Sequence, residues 1–408
     1  MYSQFKATGL EFYGKGINIV DGSATASLGR TPYNGRLDET LGQDSYFSGI
    51  TFGIGVKDFT DAGVIARGKH FALYEQETSR MASGDSDTAP YSSVADDKTL
   101  HETYLCSPEF RPFYDGVKQG LGDMMCAMNK VNGTLSCENS ELLMDLLKTE
   151  LGFPGLVRPD AGAQSTAFGS FNGGLDYSSS SIWSSNTILA GIANGTLTQA
   201  RLDDMAVGET ADVDVRANHS AIVRTVGAAA LVLLKNENND MSSEGVDRTE
   251  LRNTEQDTMV TSVASNCNNT IVVVNTVGAR ISDTWIKNEN ITAVIYGGLL
   301  GQESGNSLVD ILYRAVNPSG RLTHTISKNE SNYNVNVCET AVCNYTEGNY
   351  IDYKYFDKYN VTLRYEFGFG LSFTTFDYSE LSVSITNSSA ISSTYPTGVL
   401  SVGGKTDL

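Results

Sequence analysis

The chain has no run of 18 apolar residues, and its longest candidates, Ala228–Leu234 and Thr270–Val274, are too short to cross a bilayer and suit buried strands. It has no cluster of Lys or Arg either: 29 basic residues stand against 48 acidic ones, a net charge of −19. A surface this acidic repels phosphate backbones and anionic lipid, which sets nucleic-acid and membrane partners aside. Only four histidines occur, His70, His101, His219 and His324, and none of the six cysteines forms a CxxC pair. That is too little for a multi-His cage or a zinc site, so no metal is expected. Met1 is followed by Tyr-Ser-Gln-Phe-Lys, which lacks the charged and apolar stretches of a secretory signal.

What is present suits a folded protein. The 408 residues are 40% hydrophobic and 9% aromatic, enough for a sizeable core in one large domain or two ordinary ones. Asn-X-Ser/Thr sequons at Asn132, Asn194, Asn218, Asn268, Asn290, Asn329, Asn344, Asn360 and Asn387 point outside the cell, although an Asn- and Ser-rich composition produces some by chance. Two close cysteine pairs, Cys126 with Cys137 and Cys338 with Cys343, have the spacing of short disulfide loops and equally of buried free thiols.

Short apolar runs alternate with helical patterns, the signature of successive βα units and a parallel α/β architecture. Strands are expected at 17–20, 64–71, 123–127 and 155–158, with an amphipathic stretch over 52–59 that stops at Gly63. The clearest helix spans 140–151, with Leu142, Leu143, Leu146, Leu147 and Leu151 on one face, Asn139 or Ser140 as cap and Gly152 as stop. Further helices are expected at 187–193 and 199–207. After an acidic stretch near Asp212 the alternation resumes, with helices at 221–229 and 307–315 and strands at 231–234, 270–275 and 292–297. Residues 235–256 read as a polar surface loop or as the scar of a missing segment, and the Ser/Thr/Gly-rich tail from Ser379 as linker.

In a βα fold, catalysis gathers at the carboxyl ends of the strands. Asp160 falls at such an end, and Lys69-His70 closes another. A loop-capping Asp and a satisfied core His share these local signatures.

Longer words carry more. KGINIVDG from Lys15, LGRTPYNGR ending at Arg36, DAGVIARGKHFALYEQETSR ending at Arg80, MCAMNKVNGTLSCENSELL from Met125, ELGFPGLVRPDAGAQ from Glu150 and GGLLGQESGNSLVDILYRAVNPSGRL from Gly297 resemble, in order, the fungal-type β-glucosidases of glycoside hydrolase family 3. The resemblance implies a partial (β/α)8-like barrel over 1–211, an internally shortened α/β sandwich over 212–378, and a 379–408 linker towards a fibronectin-like domain. It also implies a secreted, cofactor-free retaining hydrolase that removes terminal glucose from cellobiose and other β-glucosides. In such chemistry one carboxylate attacks the anomeric carbon and a second, roughly 5 to 5.5 Å away, protonates the leaving oxygen.

Asp160 takes the place of the family nucleophile. Glu244, in Ser-Ser-Glu-Gly-Val, is the nearest match for the acid/base; a register that aligns Asp247-Arg248 instead would leave the acid without a counterpart. Arg36, Lys69 and His70 match residues that bind the glucose hydroxyls, with Arg80 and Met125 nearby, although Met125 also reads as packing. Cys126 and Cys137 match a family disulfide. Four departures bear on activity. Ala161 replaces an aromatic platform, and Met128 replaces a Tyr that bonds the nucleophile. The first barrel units and a long segment after Lys235-Asn236 have no counterpart. A catalytically impaired relic and a β-xylosidase of the same family are therefore the rival readings.

Overall fold

The structure is a computed structural model that describes residues 2–81, 90–105, 112–178, 182–205 and 244–375, with 377, 379, 380 and 382. The stretch near Asp212, the elements expected at 221–229 and 231–234, and Cys106, His219 and nearly all of the 379–408 tail lie outside the described residues.

A helix not anticipated from sequence, α1 (Tyr2–Gly14), precedes β1 (Ile19–Ala24), whose start lies two residues later than expected. The 17-residue α2 (Ser45–Asp61) follows: the Asp44 carboxylate accepts from the Phe47 N–H at its start, and Gly63 at φ +90° turns the chain beyond its end. Its buried face carries Phe52, Val56 and Phe59. Phe52 meets Phe113 edge to face, with centroids 5.9 Å apart, and the Gly116 backbone presses so close that a Cβ there would stand 2.0 Å from the Phe52 ring. Only glycine permits that approach.

The chain then forms β2 (Ile65–Phe71), β3 (Ser92–Val94), β4 (Asp123–Cys126), β5 (Lys130–Val131) and β6 (Thr134–Leu135). The leucine-rich helix (Glu141–Glu150) buries Leu142, Leu143, Leu146 and Leu147, its first free N–H groups include that of Leu142, which donates to Asn139 Oδ1, and Gly152 at φ +66° follows its end. It is wound more loosely than an α-helix at its close, where the Leu151 N–H reaches back five residues to Leu146 O. Next comes β7 (Leu156–Pro159).

Four of these strands make one parallel sheet in the order β1-β2-β4-β7. Because they run parallel, their carboxyl ends lie on one side, and the register sets Ala24 beside Lys69, Phe71 beside Cys126, and Cys126 beside Pro159. Among the described residues this sheet is four-stranded, which establishes the α/β class. Cys126 is bonded to Cys137 and Cys338 to Cys343, which resolves both cysteine alternatives in favour of disulfides; Cys267 is an exposed free thiol.

The second half supplies a helix (Thr254–Asn266), the parallel pair β8 (Thr270–Asn275) and β9 (Ile291–Gly297), and a helix (Ser304–Leu312) that starts three residues before its expected position. Two short antiparallel strands, β10 (Ile326–Ser327) and β12 (Leu363–Tyr365), flank β11 (Val342–Asn344) in sequence. β11 does not stay with its neighbours: it pairs in parallel with β3, in the order β11-β3-β5-β6, and so ties the late chain to the early sheet.

One correction concerns residues 244–256. The expected surface loop holds for most of 244–253, which is irregular and largely exposed, but Asp247 and Leu251 are buried within it and the helix already begins at Thr254. Asp247 is drawn inward by unfilled backbone donors, as described below.

Truncating Phe52 to alanine removes a fully buried ring from the contact between α2, Phe113 and Gly116. Phe52→Ala is expected to cost about 3–5 kcal/mol, read as a lower midpoint in urea unfolding; an unchanged midpoint would mean that this face carries no packing energy.

Candidate active site

The carboxyl ends of β1, β2, β4 and β7 present most of the chemically able side chains. Asp160 follows β7 directly, its N–H donating to Cys126 O at 3.1 Å on the neighbouring strand. Its Oδ1 takes the Ala161 N–H at 2.7 Å. Its Oδ2 is buried with no hydrogen-bond partner, and the closest ring nitrogen, His70 Nε2, stands 3.6 Å away.

His70 lies at the end of β2 and is buried. Its Nδ1 faces Ala26 O at 3.4 Å, and because a carbonyl can only accept, the ring proton is assigned to Nδ1. Burial, reinforced by the cations of Arg36 and Lys69, lowers His70 to about 3, so the imidazole is neutral and turns a lone pair towards Asp160. Burial also raises Asp160 above the ordinary carboxylate range, against the pull of the Ala161 N–H and the charges of Arg36 and Arg80, with Glu244 pushing the same way as burial.

Arg36 follows the β1 loop, where its own N–H donates to Asn34 Oδ1 at 2.7 Å. It grips Glu39 with two nitrogens, at 2.5 and 2.9 Å, and Lys69 reaches the same carboxylate at 2.8 Å. Burial disfavours the Glu39 anion, but these two cations outweigh it and hold Glu39 down at about 2. The third guanidinium nitrogen, Arg36 Nη1, is buried without a hydrogen-bond partner, 3.8 Å from both Glu77 Oε1 and Glu244 Oε1.

Arg80 stands across from it. Its Nη1 donates to Glu77 Oε2 at 2.7 Å and to the Tyr74 hydroxyl at 2.9 Å, and its Nη2 donates to Glu244 Oε1 at 3.1 Å. Glu244 is thus brought to the site from 164 residues away, with its side chain 61% exposed but ion-paired rather than merely solvated. Glu77 is 1% exposed; burial raises it against the Gly245 N–H and the two arginines. The Gly245 N–H donates to Glu77 Oε2 at 2.6 Å.

Asp247 anchors the same loop. Its carboxylate accepts the backbone N–H of Gly35 at 3.3 Å, of Glu77 at 3.0 Å and of Thr78 at 2.8 Å. That is the role of an anion placed among orphan backbone donors.

Arg36, Lys69, His70, Arg80, Asp160 and Glu244 therefore converge as expected from sequence. Met125 is buried in β4, outside the apolar cluster that holds Met124, Cys126 and Met128. Met128, 3% exposed, packs within that cluster, and Ala161 is exposed. Sequence reasoning missed Glu39, Tyr74 and Glu77. A signal existed: Glu39 is three residues after Arg36 on a helical turn, and Glu77 closes an acidic word directly after a strand. Among the described residues no group of three or more His, Cys, Asp or Glu is placed to hold a metal ion.

The cluster is four carboxylates and three permanent cations at one end of a parallel sheet, with three buried polar atoms, Arg36 Nη1, Glu77 Oε1 and Asp160 Oδ2, that have no hydrogen-bond partner. The chain belongs to glycoside hydrolase family 3. A family model described as the glycosyl hydrolase family 3 C-terminal domain matches residues 73–373. A probable beta-glucosidase D of Aspergillus niger is 46% identical over 550 aligned positions, spanning 100% of this chain and 72% of that protein. The Aspergillus flavus protein of the same name is 44% identical, with the same coverage. Both alignments run well beyond 408 positions, so these relatives carry internal segments that have no counterpart here. Among solved structures, the beta-glucosidase D2-BGL of Chaetomella raphigera superposes with a TM-score of 0.84 at 30% identity, covering 99% of this chain and 73% of its own. The beta-D-glucoside glucohydrolase of Trichoderma reesei gives 0.83 at 29%, covering 93% and 70%.

The state of His70 has a consequence for stability. With a folded-state value of about 3 against about 6.5 in the unfolded chain, the unfolded state binds a proton that the folded state refuses throughout that window, so this residue's contribution falls as pH falls. In His70→Gln that penalty is absent. The stability gap between the natural chain and the variant is expected to shift in the variant's favour between about pH 7 and about pH 4.5, read by urea unfolding at each pH; a gap independent of pH would mean that His70 takes up its proton in the folded state.

Proposed function

We propose that the chain acts as a retaining β-glucosidase on terminal β-D-glucosyl residues of β-glucosides and oligosaccharides. Asp160 is the nucleophile and Glu244 the acid/base, with Arg36, Lys69, His70 and Arg80 binding the sugar. The observation that carries this reading is that Asp160 Oδ2 and Arg36 Nη1, one acceptor and one donor, are both buried without a hydrogen-bond partner beside the same cluster. Buried polar groups without partners are costly, and a sugar supplies what each lacks: an electrophilic carbon for the free carboxylate lone pair and a hydroxyl oxygen for the guanidinium.

The arginines suit the chemistry in two ways. Near Asp160 they favour the ionised form that attack requires. As planar forks they match vicinal hydroxyls. In the first step Asp160 bonds to the anomeric carbon while Glu244 gives its proton to the departing oxygen; in the second, Glu244 takes a proton from water, which displaces Asp160.

On this reading residues 1–211 form the partial barrel, 212–378 the shortened sandwich and 379–408 a linker, with the site between the first two. A secreted glycoprotein fits as well. Two disulfides persist in oxidising compartments, and the sequon residues Asn132, Asn194, Asn268, Asn329, Asn344 and Asn360 are exposed, with Asn290 half-buried. Among the described residues no helix is long and apolar enough to cross a membrane.

A second reading, a catalytically impaired relic, rests on Met128 and Ala161. Met128 offers Asp160 no donor where its Oδ2 lacks one, and Ala161 gives no aromatic face to the sugar. Hydrolysis of p-nitrophenyl β-D-glucoside at mildly acidic pH separates the two. Turnover is expected from the natural chain, and Asp160→Asn is expected to lower it by at least about three orders of magnitude, the scale set by removing a nucleophile. Unchanged turnover in the variant would remove Asp160 from the role, and a cooperatively melting chain without turnover would favour the relic.

A further inference from the structure

Glu77 has no part in the chemistry described so far, yet it meets Arg36, Arg80 and the Glu244 loop. It lies six residues beyond β2, is 1% exposed, and its carboxylate accepts the Gly245 N–H at 2.6 Å, one residue beyond Glu244. It shares Arg80 with Glu244: one guanidinium nitrogen serves Glu77 at 2.7 Å and the other serves Glu244 at 3.1 Å. Its second oxygen, Oε1, is buried without a hydrogen-bond partner and looks across 3.8 Å to Arg36 Nη1. Its own backbone N–H is bound by Asp247, two residues beyond Gly245. Glu77 and the Glu244 loop are therefore joined reciprocally, carboxylate to backbone in each direction.

We propose that Glu77 is the positioning residue for Glu244, holding its loop through Gly245 and balancing the Arg80 charge that would otherwise fall on Glu244 alone. This rests on the reading of Glu244 as the acid/base. A carboxyl group that must deliver a proton is poorly served by an arginine, because the ion pair favours the charged form. A second anion on the same guanidinium offsets that preference. The groups facing Glu77 and Glu244 are Arg36, Arg80, Tyr74 and Asp160, with Glu39 and Lys69 behind Arg36 and Asp247 behind the loop. Glu77 is the member whose removal takes one of the two anions from Arg80 while leaving Asp160 and its hydrogen bond from the Ala161 N–H in place.

The test compares kcat/KM for cellobiose, whose leaving oxygen needs a proton, with that for 2,4-dinitrophenyl β-D-glucoside, whose leaving group does not. In Glu77→Gln the cellobiose value is expected to fall about 10- to 100-fold while the dinitrophenyl value changes less than about threefold. The alkaline limb of the cellobiose pH profile should move down by on the order of one unit, because Arg80 then bears on Glu244 uncompensated. Glu77→Asp, which keeps the charge, should return that limb towards the natural chain. The ratio of the two substrates on one preparation does not depend on how much of it has folded, so a destabilised variant still reports. Equal losses on both substrates with an unmoved limb would overturn the inference and leave Glu77 a packing residue. The same ratio unchanged in Glu244→Ala would instead overturn the acid assignment beneath it, and a natural chain that cleaves neither substrate would overturn the glucosidase reading and the inference together.

Discussion

Three consecutive polar side chains, Glu75, Gln76 and Glu77, emerge from β2 into the interior with exposures of 1, 2 and 1%. Burying a carboxylate or an amide is affordable only if its hydrogen bonds are remade inside. Each of the three does this with a different segment. Glu75 takes the N–H groups of Leu28, Gly29 and Arg30, all at 3.0 Å, and so shapes the loop that leads from β1 to Arg36. Gln76 exchanges two hydrogen bonds with the Cys338 backbone, at 2.8 and 2.9 Å, beside the disulfide and β11. Glu77 takes Gly245. The early sheet, the Arg36 loop, the late strand and the Glu244 loop are thereby referred to three adjacent residues.

The charge distribution follows from that arrangement. Glu39 is shared by Arg36 and Lys69 on one side and offsets part of their charge, and Glu77 offsets part of that of Arg80 on the other. What remains unfilled is narrow: one nitrogen of Arg36 and one oxygen each of Glu77 and Asp160. A site whose groups are fixed by their own neighbours before any ligand arrives needs little reorganisation when charge develops. The same arrangement has a weak flank, since neither Met128 nor Ala161 contributes a polar contact to Asp160 through its side chain.

The fold was legible where local pattern decides it. The strands at 65–71, 123–126 and 270–275, the leucine-faced helix and its Asn139 cap, and Asp160 at the tip of β7 all follow from periodicity and capping chemistry. Six site residues were legible through longer words. What sequence could not show is what tertiary contact decides. Residues 244–256 are polar in sequence, yet Asp247 is buried because Gly35, Glu77 and Thr78 leave three backbone donors to be met there. The path of β11 was equally invisible, because a three-residue strand carries no sign of pairing with β3, some 250 residues earlier.

The way the late chain is held to the early one matters for what the site can do. Apart from the small apolar group of Tyr33, Leu251 and Ile281, the contacts around residues 244–251 are polar: Asp247 to three N–H groups, the Arg248 N–H to Tyr33 O at 2.8 Å, the Arg248 guanidinium to Pro32 O, and Gly245 to Glu77. Apolar contact tolerates sliding, whereas hydrogen bonds fix distance and direction within a few tenths of an ångström. A proton donor that has to meet a leaving oxygen requires the second kind of attachment. On the reading of Glu244 as the acid/base, the polar character of this junction serves the chemistry: it converts the docking of two segments of one chain into a defined distance between Glu244 and the groups at the carboxyl ends of the early sheet.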